Sequence, residues 1–135
     1  MIIPENAVNT RVFHTWLEND ICYTKVKHGS VVDLDDAIEN TLTVTGLSNK
    51  NIYPLLVDIR EINSLTKEAR DHFSMHDREA GVTAIAMLIK SPVSSIIGNF
   101  YLGINKPKIP TQLFTSESKA IKWLQQFVLL KSPKC

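Results

Sequence analysis

The chain has 135 residues and a mass of 15.2 kDa. It is 44% hydrophobic and 21% charged, a globular balance that excludes intrinsic disorder. Fifteen Lys and Arg against fourteen Asp and Glu give +1, which leaves no electrostatic footprint for nucleic acid and no polybasic membrane patch. The apolar runs are too short to span a bilayer, and Met1 to Asn6 lacks the basic and apolar regions of a signal peptide. A cytoplasmic single domain over 1–135 is expected, with its core at 11–128 and loose ends at 1–10 and 129–135.

In chain order, Arg11 to Glu18 alternates and is followed by Asn19-Asp20 and a second short run, Ile21 to Lys27, which together predict a β-hairpin. Two cysteines without a Cys-x-x-Cys, Cys22 in that second run and Cys135 at the terminus, fit free thiols better than zinc or a disulfide framework. Asp33 to Leu47 reads as a helix with acids in its first turn and Gly46 as its stop, burying Leu34, Ala37, Ile38, Leu42 and Thr45. Tyr53 to Ile59 and Ala84 to Ile89 are continuous apolar runs, as in strands buried on both faces. Between them Thr66 to Ala80 is helical by propensity with a thin apolar side, Leu65, Ala69, Phe73 and Ala80, so the three segments form a βαβ unit. Ser91-Pro92 opens a helix whose Val93, Ile96, Ile97, Phe100, Tyr101 and Ile104 form the clearest core-facing stripe in the chain. Thr111 to Phe114 is a last strand. Thr115-Ser116-Glu117 then starts a helix that buries Ala120, Trp123, Leu124, Phe127 and Val128. The order ββαβαβαβα predicts an α/β fold, a mixed sheet in which an antiparallel hairpin precedes parallel strands, with helices covering it.

Several segments carry a family resemblance. Tyr53-Pro54-Leu55-Leu56-Val57-Asp58-Ile59-Arg60, Ser91-Pro92, Gly98-Asn99-Phe100, Asn105-Lys106-Pro107 and Leu113-Phe114-Thr115, followed by Ala120, Trp123 and Leu124, resemble the SpoIIAA-like branch of the STAS (Sec14-type) domains. Within it they are similar to small bacterial STAS-like proteins without an assigned activity. The similarity runs from about Asn51 to Phe127; the hairpin and first helix fit by pattern. It implies a non-enzymatic regulatory or protein-interaction module. Anti-sigma antagonists of this family carry a phosphorylatable Ser after an Asp at a helix start. The matching segment here is Ile62-Asn63-Ser64, which would make Ser64 the phosphorylation site. Asn63 stands where the acid would be, Leu65 where a small residue is usual, and the loop from Asp58 is shorter. An ordinary capping role for Ser64 or Thr66 is the competing reading.

The carboxyl ends of parallel strands are where open α/β sheets bind ligands. Asp58 and Arg60, with Lys90 and Ser91 at the corresponding place on the next strand, would form either an anion-binding mouth or an internal ion pair. Asn99 and Lys106, seven apart on the helix after Ser91, would meet a ligand or partner, or serve the helix itself. His72 and His76 have metal-ligand spacing, but the third ligand and the metalloprotease Glu are missing. Gly-x-Ser-x-Gly, Walker-type and Gly-x-Gly-x-x-Gly motifs are absent. The expectation is therefore a module without cofactor, metal or catalytic residues. It would bind a protein partner or itself as a homodimer, with Asp58, Arg60, Ser64, Thr66, Lys90, Ser91, Asn99 and Lys106 as candidate contacts. The alternative is a small-ligand protein holding a lipid or an anionic metabolite between the sheet and the Val93–Ile104 helix.

Overall fold

A computed structural model describes residues 1–76 and 79–131, with side chains described to Val128; Asp77 and Cys135 lie outside it. The elements are β1 (Val8–Asn9), β2 (Phe13–Glu18), β3 (Ile21–Val26), β4 (Val31–Val32), α1 (Leu34–Ser48), β5 (Tyr53–Asp58), β6 (Ser64–Leu65), α2 (Lys67–His76), β7 (Val82–Leu88), α3 (Pro92–Phe100), a π-helical turn (Tyr101–Asn105), β8 (Thr111–Phe114) and α4 (Glu117–Lys131). Six strands form one sheet in the order β1-β2-β3-β5-β7-β8. β1, β2 and β3 pair antiparallel, and β3, β5, β7 and β8 run parallel. The mixed sheet expected from the order of elements is present. β4 and β6 form a separate two-stranded ladder that ties the loop after β3 to the loop after β5.

Strand alternation divides the core. Tyr23, Leu56, Ala84, Ala86 and Leu88 face α4, where Ala120 and Leu124 are fully buried. Trp16 joins them, stacked on its cross-strand neighbour Tyr23 with ring centroids 5.1 Å apart. Residues 1–10, expected loose, contribute β1, and Met1, Ile3 and Ala7 pack on this same face. The opposite face carries Phe13, Val26, Ile59, Met87 and Ile89 under α1, α2 and α3. A third cluster, around Cys22, Val44, Leu55 and Ile85, closes the amino-terminal ends of the parallel strands.

Two helices dock by a different face than their hydrophobicity predicts. In α1 the buried positions are Asp36, Ala37, Asn40, Val44 and Ser48, while Leu34, Ile38 and Leu42 face out. The reason is polar. Asp33 and Asp36 form a capping box, and Arg11 pairs with Asp36. Asn40 Oδ1 then accepts from the buried hydroxyls Thr15 Oγ1 at 3.0 Å and Thr24 Oγ1 at 3.4 Å. Buried polar groups must be paired, so these bonds fix the rotation of the helix. Gly46 does not stop it; Asn49, left-handed at φ 49°, caps it.

In α3 the buried residues are Ser94 and Gly98, followed by Tyr101 in the π turn, whereas Val93, Ile96, Phe100 and Ile104 are exposed. Ser91 and Ser94 cap each other reciprocally, and Ser94 Oγ accepts from Lys90 N at 2.9 Å. Gly98 lies so near the sheet layer that a Cβ there would sit 3.0 Å from Leu113 Cδ2. Small and polar groups thus bring the helix in, and most of its large apolar side chains are left outside. α2 is shorter than the helix expected over Thr66 to Ala80: it ends at His76, buries Ala69 and half-buries Phe73, while Leu65 packs from β6 and Ala80 is buried in the turn after the helix.

Candidate functional site

β5 and β7 are adjacent and parallel, with Asp58 opposite Leu88, so their carboxyl ends share one rim. β3 ends beside them, and Lys25 is in register with Asp58. Asp58 has the parity of Leu56 and lies on the α4 side of the sheet. Its carboxylate is fully buried. Arg60 lies beyond the strand end and folds back. Asp58 Oδ1 accepts from Arg60 N and Nε, both at 3.0 Å, and Oδ2 from Arg60 Nη2 at 2.8 Å. Lys25 Nζ adds a contact to Oδ2 at 3.3 Å. Burial pushes the Asp58 carboxyl up, but the Arg60 hydrogen bonds and the Lys25 charge outweigh it and hold the group below its ordinary range. Arg60 also approaches Glu117 at 3.9 Å, and Glu117 receives the amino terminus at 3.2 Å.

Lys90 belongs to a second cluster. It pairs with Glu61, whose other oxygen meets His28 Nδ1 at 2.8 Å. The hydrogen bonds from Lys90 and His28 bring the Glu61 carboxyl down to about 2. The rim therefore holds two separate ion-pair groups. Each of its three cations, Lys25, Arg60 and Lys90, already faces a carboxylate of the chain. The internal ion pair weighed for Asp58 and Arg60 is present, and Lys90 does not join it.

Ser91 is engaged as the α3 cap. Thr66 caps α2, its Oγ1 accepting from Ala69 N at 3.2 Å. Ser64 does not cap a helix. It lies in β6 opposite Val31, half-buried, with its amide bonded to Ser30 O at 3.3 Å. Ser64 and Thr66 nonetheless sit together where the loop from β5 turns into α2. Asn99 Nδ2 donates to Ser95 O of its own helix at 2.8 Å. Lys106 caps the π turn at φ 48° and is exposed. The π turn breaks the regular spacing between them, so the shared helical face expected for Asn99 and Lys106 does not form.

The residues that organise this region without standing among the candidate contacts are Lys25, Glu61, Glu117, Arg70 and Asn105. The first three depend on strand register and loop course. Arg70 Nε donates to Asn105 Oδ1 at 2.6 Å, and Asn105 Nδ2 donates to Asp71 Oδ1 at 2.7 Å, fastening the π turn to α2. The Arg70 guanidinium also lies 5.7 Å from the centre of the Phe100 ring. The Asn105-Lys106-Pro107 segment was a visible signal, but its partner on α2 was not. His72 Nε2 is bonded to Thr41 Oγ1 at 2.9 Å and His76 Nδ1 to Glu79 Oε1 at 2.9 Å. Among the described residues no three His, Cys, Asp or Glu gather as a metal set, and no helix is long and apolar enough to cross a membrane.

A cavity of about 50 Å³ lies between the sheet and α1, α2 and α3, lined by Phe13, Val57, Ile62, Phe73, Ile97 and Tyr101 among others. Ligand pockets usually reach roughly 300–1,000 Å³. This space is too small for a lipid, which weighs against the small-ligand alternative.

The fold is that of SpoIIAA. An uncharacterised Shewanella loihica PV-4 protein of the DUF3478 family with a SpoIIAA-like fold superposes with a TM-score of 0.59 at 14% identity, over 83% of this chain and 91% of that one. The anti-sigma factor antagonist SpoIIAA in its unphosphorylated form gives 0.55 at 12% identity, over 84% and 97%. A protein of unknown function from Arthrobacter sp. FB24 is 31% identical over 90% of this chain and 99% of that one, with a TM-score of 0.34. No curated protein matches. The family model for a domain of unknown function, DUF7793, matches residues 15–128, and the chain belongs to that family.

Proposed function

We propose that this chain is a non-enzymatic, cytoplasmic STAS-type regulatory module that works by binding a protein partner. Its working surface is the rim from Asp58 to Thr66 together with the start of α3 after Lys90. The observation that carries this reading is the placement of Ser64 and Thr66, half-exposed, between the end of β5 and the start of α2, in a fold shared with an anti-sigma factor antagonist. The ion pairs at the rim support it as well. With Asp58, Arg60, Lys25 and Lys90 engaged inside the chain, they hold the loop in shape for a partner rather than receiving a free anion. Phosphorylation of Ser64 is the switch in this reading. It adds nearly two negative charges beside the α2 amino terminus, within a loop that already carries Glu61.

The test uses the purified chain immobilised as wild type, Ser64→Ala and Ser64→Asp, with capture from the source cytosol followed by binding measurements on the captured protein. The expected result is one partner retained by wild type and Ser64→Ala and weakened at least about tenfold by Ser64→Asp, a difference of about 1.4 kcal/mol. Equal binding by all three refutes Ser64 as the switch. Absence of any specific partner refutes the module reading.

A further inference from the structure

We infer that β6 and α2 form a flap over the internal cavity, latched by Asn105, which opens and closes while the sheet, α1 and α4 stay folded. α2 has 10 residues, too few for a helix to stand alone in water, so packing must hold it. Packing supplies little. Ala69 is its one buried residue. Phe73 of α2 and Leu65 of β6 line the cavity of about 50 Å³, so part of the flap's apolar side has no neighbour to pack on. β6 is no better anchored: it is two residues long, lies outside the six-stranded sheet and pairs with the two residues of β4. The other helices differ. α1 buries Ala37 and Val44 and is held by Asn40, and α4 buries Ala120 and Leu124 completely. Local stability follows buried apolar contact, which puts β6 and α2 at the low end of this fold.

What fastens the flap is polar and centred on one side chain. Asn105 of the π turn sets its amide between opposite charges on α2. Its Oδ1 accepts from Arg70 Nε at 2.6 Å, and its Nδ2 donates to Asp71 Oδ1 at 2.7 Å and reaches Ser74 Oγ at 3.4 Å. The first two bonds are charge-assisted and stronger than neutral ones, and they use the acceptor and the donor that an amide offers side by side. From α1, Thr41 Oγ1 adds a second tie to His72 Nε2 at 2.9 Å. Asn105, Arg70, Asp71, Thr41 and His72 are all half-buried, so water takes over their bonds when the latch parts, which makes opening reversible. Opening carries Leu65 and Phe73 off the cavity and uncovers Val57 and Ile97 across it. It also frees Ser64 from its pairing with Val31. In that one respect the inference rests on the Ser64 reading, since the open flap is the form in which Ser64 is accessible to modification. The opening itself is a property of the unmodified chain, and its test involves neither phosphate nor partner.

The experiment is native-state hydrogen exchange of the full chain, read by mass spectrometry of its peptides. Wild type is compared with Asn105→Ala, Asn105→Asp, Thr41→Val and a control, Asn99→Ala, whose amide serves its own helix. In wild type the α2 amides should exchange at least about 100-fold faster than those of β5 and β7, yet slower than unstructured chain. Asn105→Ala should speed α2 about tenfold further, with β5, β7 and α4 unchanged. Asn105→Asp keeps the Arg70 contact but sets a carboxylate against Asp71, and should do the same. Thr41→Val parts the second tie from the α1 side and should speed α2 several-fold, which keeps the test decisive if the Asn105 variants fail to fold. Wild-type α2 amides as slow as those of β5 and β7 overturn the inference, because α2 then opens only with the whole molecule. Wild-type α2 amides as fast as unstructured chain overturn the latch. So does exchange in the Asn105 and Thr41 variants that matches Asn99→Ala, or that rises equally in every element.

Discussion

Replacing Asp58 with Asn tests whether the rim is held by its buried carboxylate. Asn keeps one acceptor oxygen, enough for the Arg60 amide. It turns the other oxygen into an NH2 that faces Arg60 Nη2 and Lys25 Nζ, two donors that now lack an acceptor. Hydrogen bonds to charged groups contribute about 1.5–3 kcal/mol each. The Lys25 and Arg60 side chains are 22% and 24% exposed, so both turn partly to water and recover some of that loss. Asp58 itself has no such outlet. The net expectation is a destabilisation of about 2–3 kcal/mol. Urea unfolding followed by fluorescence of Trp16 and Trp123 measures it as a drop of about 1–2 M in the midpoint, with the slope unchanged. Acid supplies a second signature. The folded-state pKa of Asp58 lies below its unfolded value, so its contribution is complete above the ordinary carboxylate range and is lost as pH falls through the folded pKa. The gap between wild type and Asp58→Asn should therefore close as the pH falls below the ordinary carboxylate range. A destabilisation below about 0.5 kcal/mol at pH 7, the size of a typical surface substitution, would refute the account.

Glu61→Gln removes a solvent-facing ion-pair group, and its effect on the urea midpoint should be small beside that of Asp58→Asn. The Cys22 thiol is buried and pushed up to about 12, so in folded protein it should not react with Ellman's reagent at pH 8, and in urea it should react promptly. Gly81→Ala places a Cβ 2.9 Å from Asn51 O at φ +89°, which should cost about 1–3 kcal/mol in chemical unfolding. Leu124→Ala empties a fully buried position between α4 and the sheet and should cost about 2–5 kcal/mol, read as a lowered melting temperature.

Much of the fold was legible in the chain. Leu55-Leu56-Val57 and Ala84 to Ile89 are continuous apolar runs because parallel strands are buried on both faces, and that local property needs no knowledge of neighbours. The hairpin, the Ser91-Pro92 helix start and the α4 stripe at Ala120 and Leu124 are local in the same sense, and each stands where its pattern put it. Helix rotation was not local. Leu34, Ile38 and Leu42 form a stripe by spacing, yet Asn40 turns inward because two threonines on β2 and β3 need a partner. No property of α1 alone carries that information. α3 turned for a similar reason, with Ser94 and Gly98 setting its approach to the sheet.

The candidate site divides along the same line. Asp58, Arg60, Thr66 and Ser91 were named from motif and position because strand ends and helix caps have sequence signatures. The capping function settled on Thr66 rather than Ser64, since β6 runs two residues further before α2 begins. Lys25 entered through the β3–β5 register, Glu61 through the course of the loop, and Asn105 through its reach to α2. Sequence by itself determined which segments are strands and helices, because burial and capping leave periodic marks within a few residues. Tertiary structure alone decided which charges meet and which apolar faces remain open, because those depend on residues tens of positions apart being brought within a few ångströms.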